Sequence, residues 1–273
     1  GDGGWLIDEV EPLAQVGNAQ YDLRITSAGT LHVAYQLTNV ASDAGSSDAG
    51  FFGVRHAQRA SGASSWTYGV VETSAGPVLG SALGLAVDSA GEPAVAYLQT
   101  VDADGGRGLK VARRVGGASG TWASENVGDV ITATTANLPS NATSLDFGPG
   151  NELSVALSTR DPSYRLSTYV KPVGGAWQVG ETMISTVPGQ FPTLRYSPAG
   201  HPWLTYYSTD SAVIRRLTPS APLVKAVHQG LSLGDFYAGR YISMAFDAAG
   251  RAHFIYNTSN PSLTRTLYYA RLE

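Results

Sequence analysis

The 273-residue chain contains no cysteine, which excludes a disulfide framework, a thiolate nucleophile and any cysteine-ligated metal. It has no apolar run approaching the ~20 residues of a membrane-spanning helix. Neither sign of charge prevails. Eighteen lysines and arginines stand against 22 acidic residues, a net charge of −4, and nothing forms the basic surface that a nucleic acid would require. There is no H-E-x-x-H helix, Walker loop or G-x-G-x-x-G turn, so the commonest zinc peptidases and nucleotide-binding enzymes drop out. No segment keeps an apolar period of 3.6, and helices are not expected. Lysine is scarce as well, 3 against 15 arginines, a bias that with abundant alanine and glycine points to a GC-rich bacterial source. No cofactor is implied.

What the chain does have is a fivefold internal repeat. A leucine-centred run, a tight turn and a second run recur around the turns ending at Gly29, Gly91, Asn151, Gly200 and Gly250. Six residues before each turn end stand Leu23, Leu85, Leu145, Leu194 and Met244; six after stand Tyr35, Tyr97, Leu157, Tyr206 and Tyr256. Asn151 replaces glycine in one copy, and asparagine is the next best residue for a left-handed turn position. The spacings of 62, 60, 49 and 50 residues (29 to 91, 91 to 151, 151 to 200, 200 to 250) fall in the range of solenoids and propellers.

Apolar and polar residues alternate with period two around each turn, as in Leu31-His32-Val33-Ala34-Tyr35, so the runs are strands. A third strand follows in every copy, and a fourth opens on tryptophan: Trp66, Trp122 and Trp177, with a degraded version at Leu223 to Val227. Four strands in five copies predict an all-β, five-bladed β-propeller of antiparallel blades, a single domain over 1–273. The last copy stops after its third strand, while Trp5 to Val10 is an orphan fourth-strand signature. The N-terminal strand is therefore expected to complete the last blade and close the ring, because an open stack would leave unpaired edges.

At the level of the repeat, Leu85-Ala86-Val87-Asp88-Ser89-Ala90-Gly91-Glu92-Pro93 and Leu267-Tyr268-Tyr269-Ala270-Arg271 resemble the S-L-x-x-D-x-x-G-x-P-H-x-x-Y, L-x-Y-A-R and W repeats of extracellular bacterial propellers. The resemblance implies a secreted or cell-surface bacterial protein, and Gly1-Asp2-Gly3-Gly4 reads as a mature start after signal-peptide removal. It is specific for fold and weak for function, since propellers host many activities. Ser46-Ser47-Asp48-Ala49-Gly50 begins like a sialidase Asp-box, but Gly53 occupies its aromatic position.

Propeller geometry puts the tight turns on one face and the longer, variable connections on the other, where function is expected. Seven residues are the candidate ligand contacts at the axial mouth of that face: Asp22, Asn141, Gln190, Asp235, Tyr237, Arg240 and Tyr241. Amide, guanidinium, carboxylate and aromatic groups converging there would suit a polar ligand such as a sugar. Deeper on the inner strands, Asp22, Arg24, Asp146 and Arg195 balance in charge and either pair with one another or contact ligand.

Other polar groups are expected to be structural. His32 and His253 occupy equivalent repeat positions, and His56, His201 and His228 form no visible cluster. Arg113-Arg114 and Arg215-Arg216 read as solvated edges. Asp102 and Asp104, with Asp43 and Asp48, alternate as calcium ligands do, but the full twelve-residue loop is absent; no metal site is expected.

Five-bladed propellers include arabinanase-like and levansucrase-like glycosidases, which resemble one another in placing three acids on the inner strands. That trio is not evident here, and ordinary glycoside hydrolysis needs at least two carboxylates. The expected function is non-catalytic recognition, by a monomer, of a glycan or cell-surface partner through the variable-loop face. The alternative is a carbohydrate-active hydrolase or lyase acting at the axial mouth.

Overall fold

The structure is a computed structural model that describes residues 9–10, 21–40, 51–74, 82–100, 107–131, 142–159, 164–185, 190–208, 211–217, 223–229, 236–259 and 265–272. Among these residues there is no helix. The strands form five antiparallel sheets. Blade one comprises β1 (Tyr21–Ile25), β2 (Leu31–Val40), β3 (Phe51–Arg59) and β4 (Thr67–Ser74). Blade two comprises β5 (Leu83–Val87), β6 (Pro93–Thr100), β7 (Arg107–Val115) and β8 (Thr121–Ile131). Blade three comprises β9 (Thr143–Phe147), β10 (Leu153–Thr159), β11 (Tyr164–Lys171) and β12 (Gln178–Ser185). Blade four comprises β13 (Gln190–Tyr196), β14 (Pro202–Ser208), β15 (Ser211–Arg216) and β16 (Leu223–Gln229). Blade five shows β17 (Phe236–Phe246), β18 (Ala252–Ser259) and β19 (Arg265–Arg271).

The repeat works through its turns. In each, the backbone N–H of the last residue donates to the carbonyl three residues earlier, at 2.8 to 3.0 Å for all five copies. That last residue is left-handed throughout, with φ of 78° at Gly29, 85° at Gly91, 63° at Asn151, 81° at Gly200 and 79° at Gly250. Only glycine and asparagine tolerate this cheaply, which is why no other residue types occur there. The opening residue is held too: the Asp88 Oδ1 accepts from the N–H groups of Ala90 and Glu92, and Asp247 Oδ1 from those of Ala249 and Arg251. Each turn fixes one register, pairing Leu23 with Val33, Leu85 with Val95, Leu145 with Val155, Leu194 with Leu204 and Met244 with Phe254.

Blades pack face to face through the apolar side of these strands. Leu85, Leu145 and Leu194 are fully buried and Met244 nearly so, whereas Leu23, at the same position of blade one, is 49% exposed. Tyr21 and Ile25 beside it are open as well, as are Ile255, Leu267 and Tyr269 of blade five. Among the described residues, then, the facing sides of the first and last blades are uncovered. Most of the expected closing strand, Trp5 to Val10, lies outside the described residues. Its last residue, Val10, packs with Val33, Tyr35, Ala57 and Trp66 of blade one, and its carbonyl accepts from Tyr68 Oη at 2.5 Å.

Candidate functional site at the axial mouth

Alternate residues of the inner strands face the axis, and most of them join neighbouring blades. Asp22 Oδ2 accepts from the Leu85 N–H at 2.9 Å, Ser144 Oγ from the Leu194 N–H at 2.9 Å and Asp146 Oδ2 from the Tyr196 N–H at 2.8 Å. Thr193 Oγ1 donates to the Ile242 carbonyl at 2.7 Å. Gly84 completes the set by its smallness, since a Cβ there would come within 3.3 Å of the Leu145 nitrogen. The inner edge of each strand lacks a sheet neighbour, and these side chains satisfy backbone groups that would otherwise be orphaned.

The four axial charges are part of this belt. Arg24 Nη1 donates to Asp22 Oδ1 at 2.8 Å and to the Leu23 carbonyl at 3.0 Å. Arg195 Nη1 donates to the Leu194 carbonyl at 2.6 Å. Burial, with Arg24 as a second cation nearby, lowers the Arg195 pKa to about 10 against the opposing pull of Asp146 and Asp22. Asp146 is raised above the usual carboxylate range, because burial outweighs the attraction of Arg195 and the Tyr196 N–H. Of the expected mutual pairing, the Arg24–Asp22 ion pair is present, while Asp146 and Arg195 influence each other by charge and bond instead to backbone groups.

At the variable-loop end the channel widens into a pocket of about 210 Å³. Two successive layers of the repeat build it: Tyr21, Leu83, Thr143, Pro192 and Ile242 eight residues before the turn ends, and Asp22, Ser144, Thr193 and Ser243 one residue further in. Phe191 and Arg195 also line it. Every blade contributes. Tyr21 is 71% exposed at the lip, and Thr143 Oγ1 is buried without a hydrogen-bond partner. Phe191 is buried and takes a left-handed φ of 55° where the β13–β14 register shifts. Asp146 and Arg24 line a different cavity, about 610 Å³, on the turn face. The two axial carboxylates therefore serve opposite ends of the channel.

Of the sequence candidates, Asp22 lines the pocket, with both its oxygens already engaged. Gln190 lies in β13, and Tyr237, Arg240 and Tyr241 lie in β17; Asn141 and Asp235 lie outside the described residues, as do Asp43, Asp48, Asp102 and Asp104. Thr143 shares the repeat register of Tyr21, and Ser144, Thr193 and Ser243 share that of Asp22, a signal that could have marked them as pocket lining.

Two expectations are corrected at the interface of blades one and two. His32 and His56 do cluster: their rings meet at 3.0 Å between Nδ1 and Nε2, buried side by side, with Trp122 edge-on to His56. Arg114 is not a solvated edge. It is buried, donating to Glu92 Oε2 at 2.9 Å and Gln58 Oε1 at 2.7 Å, while Arg113 reaches Asp88. Arg215 likewise pairs with Glu181. The two histidines sit diagonally on neighbouring strands of blade one, and blade stacking then brings Trp122 and Arg114 of blade two against that face, as it brings Arg215 of blade four against Glu181 of blade three.

No protein-family profile matches the chain, and no curated protein matches its sequence. Solved structures establish the fold as a β-propeller. A protein of unknown function from Dyadobacter fermentans superposes with a TM-score of 0.65 at 14% identity, over 95% of this chain and 77% of its own. The Trypanosoma rangeli sialidase, crystallised with the inhibitor DANA, gives 0.52 at 8% identity, over 92% of this chain and 46% of its own. The polysaccharide lyase Uly1 gives 0.50 at 10% identity, over 92% and 57%. This chain thus spans about half the length of those two enzymes, and at such identities the likeness is one of fold.

Proposed function

We propose that this protein is a carbohydrate-active enzyme working at the axial mouth. The observation that carries the reading is the mouth itself, a pocket lined from all five blades that presents hydroxyls, one carboxylate, one guanidinium and an exposed tyrosine ring. Hydroxyls and charged groups can fix sugar hydroxyls while an aromatic face stacks on a pyranose ring. The sialidase and the polysaccharide lyase among the structural neighbours support a catalytic reading ahead of recognition alone.

The acid count favours elimination over hydrolysis. Hydrolysis needs two carboxylates flanking the bond, and Asp146 opens to the far end of the channel. Elimination on a uronate-containing chain needs a cation against the sugar carboxylate and one base. The base takes the proton next to that carboxylate, the C–O bond to the leaving sugar breaks, its oxygen takes up a proton from the protonated base or from water, and a double bond remains in the ring. Arg195 supplies the cation and the exposed Tyr21 the base, since both oxygens of Asp22 are engaged. The same shortage of acids favours the second reading, recognition of a glycan without turnover.

The test is a panel of acidic and neutral polysaccharides read three ways: ultraviolet absorbance of a new double bond, release of reducing ends, and calorimetric binding. Absorbance on an acidic polymer is the expected result, lost in Tyr21→Ala. Reducing ends without absorbance would make it a hydrolase, and binding without either product a recognition module. Tyr21→Phe separates stacking from proton transfer. Silence in all three assays would sink the placement of the site.

A further inference from the structure

Beside the cavity of Arg24 and Asp146, the turn face carries another of about 520 Å³, formed where the turns of blades two to five converge. Its size lies within the ~300–1,000 Å³ typical of small-molecule sites. The two cavities adjoin across the turn of blade two, where Val87, Asp88 and Ser89 line both. Among the described residues Arg195 alone lines both this second cavity and the mouth pocket. Its guanidinium therefore stands between the two ends of the channel. Five residues before the turn ends, the axial side chains are Arg24, Ala86, Asp146, Arg195 and Ala245, and of these Arg195 is the one that presents a cation here.

The walls come from the next position of the repeat, with Val87, Phe147, Tyr196 and Phe246 four residues before the turn ends. Their own neighbours hold the rings. The Arg113 guanidinium carbon lies 5.1 Å from the centre of the Phe147 ring, Phe246 packs on Trp203 with ring centres 6.1 Å apart, and Tyr196 Oη is hydrogen-bonded to Ser154 Oγ at 2.7 Å. Walls that stand by themselves reduce the ordering cost of binding. Two of the described lining residues are charged, Asp88 and Arg195. Asp88 is already satisfied: Oδ1 accepts from the N–H groups of Ala90 and Glu92, and Oδ2 from Arg113 Nη2 at 2.5 Å. Arg195 is not. Its Nη1 donates to the Leu194 carbonyl and reaches Ser144 Oγ at 3.4 Å, while Nε and Nη2 meet no acceptor among the described residues. Asp146 lines the adjoining cavity and bonds through Oδ2 to the Tyr196 N–H, without forming an ion pair with Arg195.

We propose that this cavity binds a small carboxylate with a compact apolar body, the carboxylate against Arg195 and the body among the Phe147, Tyr196 and Phe246 rings. A guanidinium offers five N–H donors in a planar fork that suits the two oxygens of a carboxylate. Apolar walls strengthen such a pair by excluding water from it. A neutral ligand of the same shape would leave the Arg195 donors without an anion, so charge and apolar surface together select the class. The site belongs to the end of the channel opposite the mouth and does not depend on what the mouth binds.

Benzoate is the probe, titrated into the full chain by calorimetry and ligand-observed NMR beside benzamide, which has its shape without its charge. The expected result is saturable one-to-one binding of benzoate, with benzamide weaker by about tenfold or more. Benzoate affinity should fall by a similar factor in Ala245→Glu and in Pro198→Glu, which set a carboxylate at the axial layer and at the rim; both parent residues are exposed and line the cavity. Ala245→Gln, of equal size, should retain more affinity than Ala245→Glu. Tyr21→Ala, at the mouth, should bind benzoate as the parent does. A parent protein that does not saturate at millimolar benzoate overturns the proposal, as does benzamide binding equally well. Parent-like binding by a folded glutamate variant, equal weakening by Gln and Glu at position 245, or loss of binding in Tyr21→Ala would overturn it too. Should Ala245→Glu fail to fold, Pro198→Glu decides. A crystal soaked with a bromobenzoate locates the ligand directly, and bromine density anywhere else refutes the assignment.

Discussion

Acidification from pH 7 to pH 5 should destabilise this protein through the buried pair His32–His56. In the folded state burial, followed by the Arg114 charge, lowers His32 to about 4 against a raising pull from Glu92; burial, followed by His32 and Arg114, lowers His56 to about 3. In the unfolded chain both titrate near 6.5. Between those values the unfolded state takes up protons that the folded state refuses, so stability is fully present above pH 6.5 and is lost as pH falls, until the folded rings themselves protonate. Each ring that stays neutral at pH 5 accounts for ~2 kcal/mol lost relative to pH 7, and the two together for about 3–4 kcal/mol. The measurement is urea unfolding at both pH values for the parent and for His32→Ser/His56→Thr, which installs the residues of blade three. Carboxylates titrate alike in both proteins, so the difference between the two pH dependences isolates the pair. Equal losses in parent and variant would refute the reasoning, whatever the variant's stability at pH 7.

Two further substitutions test the repeat and its closure. Asn151 holds φ at 63° and its Oδ1 accepts from the Ser89 N–H and hydroxyl of blade two; Asn151→Gly should change stability by less than ~0.5 kcal/mol, while Asn151→Val should cost about 1–2 kcal/mol, and equal melting of the two variants would contradict a left-handed requirement. Deleting residues 1–10 should remove the partner of Trp66 and Tyr68 on blade one and, on the proposed closure, the outer strand of blade five with its tryptophan, a loss of ~3–5 kcal/mol. Calorimetry and dye binding to exposed apolar surface report it, and unchanged melting would disprove closure by the N-terminal strand.

The blades were legible in the sequence because their determinants are local. A left-handed turn residue, period-two alternation and a leucine at a constant offset specify a hairpin within about a dozen residues, and all five hairpins appear at the expected registers. Asp22 at the mouth was legible for the same reason, by counting from the turn. The candidates above it in the crossover loops were chosen by convergence alone, with no local rule to fix them.

What one strand presents to the next blade was decided elsewhere. Trp122 meets His56 and Arg114 meets Gln58 across the gap between blades one and two, and nothing in their own strands announces those contacts. Ser144 and Thr193 look like residues tolerated for size until the neighbouring blade brings an unpaired N–H or carbonyl against them. By itself the sequence determined the turns, the strands, their register and the number of blades, since hydrogen bonding and side-chain alternation act over short separations. The tertiary structure alone decided which polar groups are buried and which carboxylate faces which end of the channel, because those depend on the approach of surfaces that the chain order keeps about fifty residues apart.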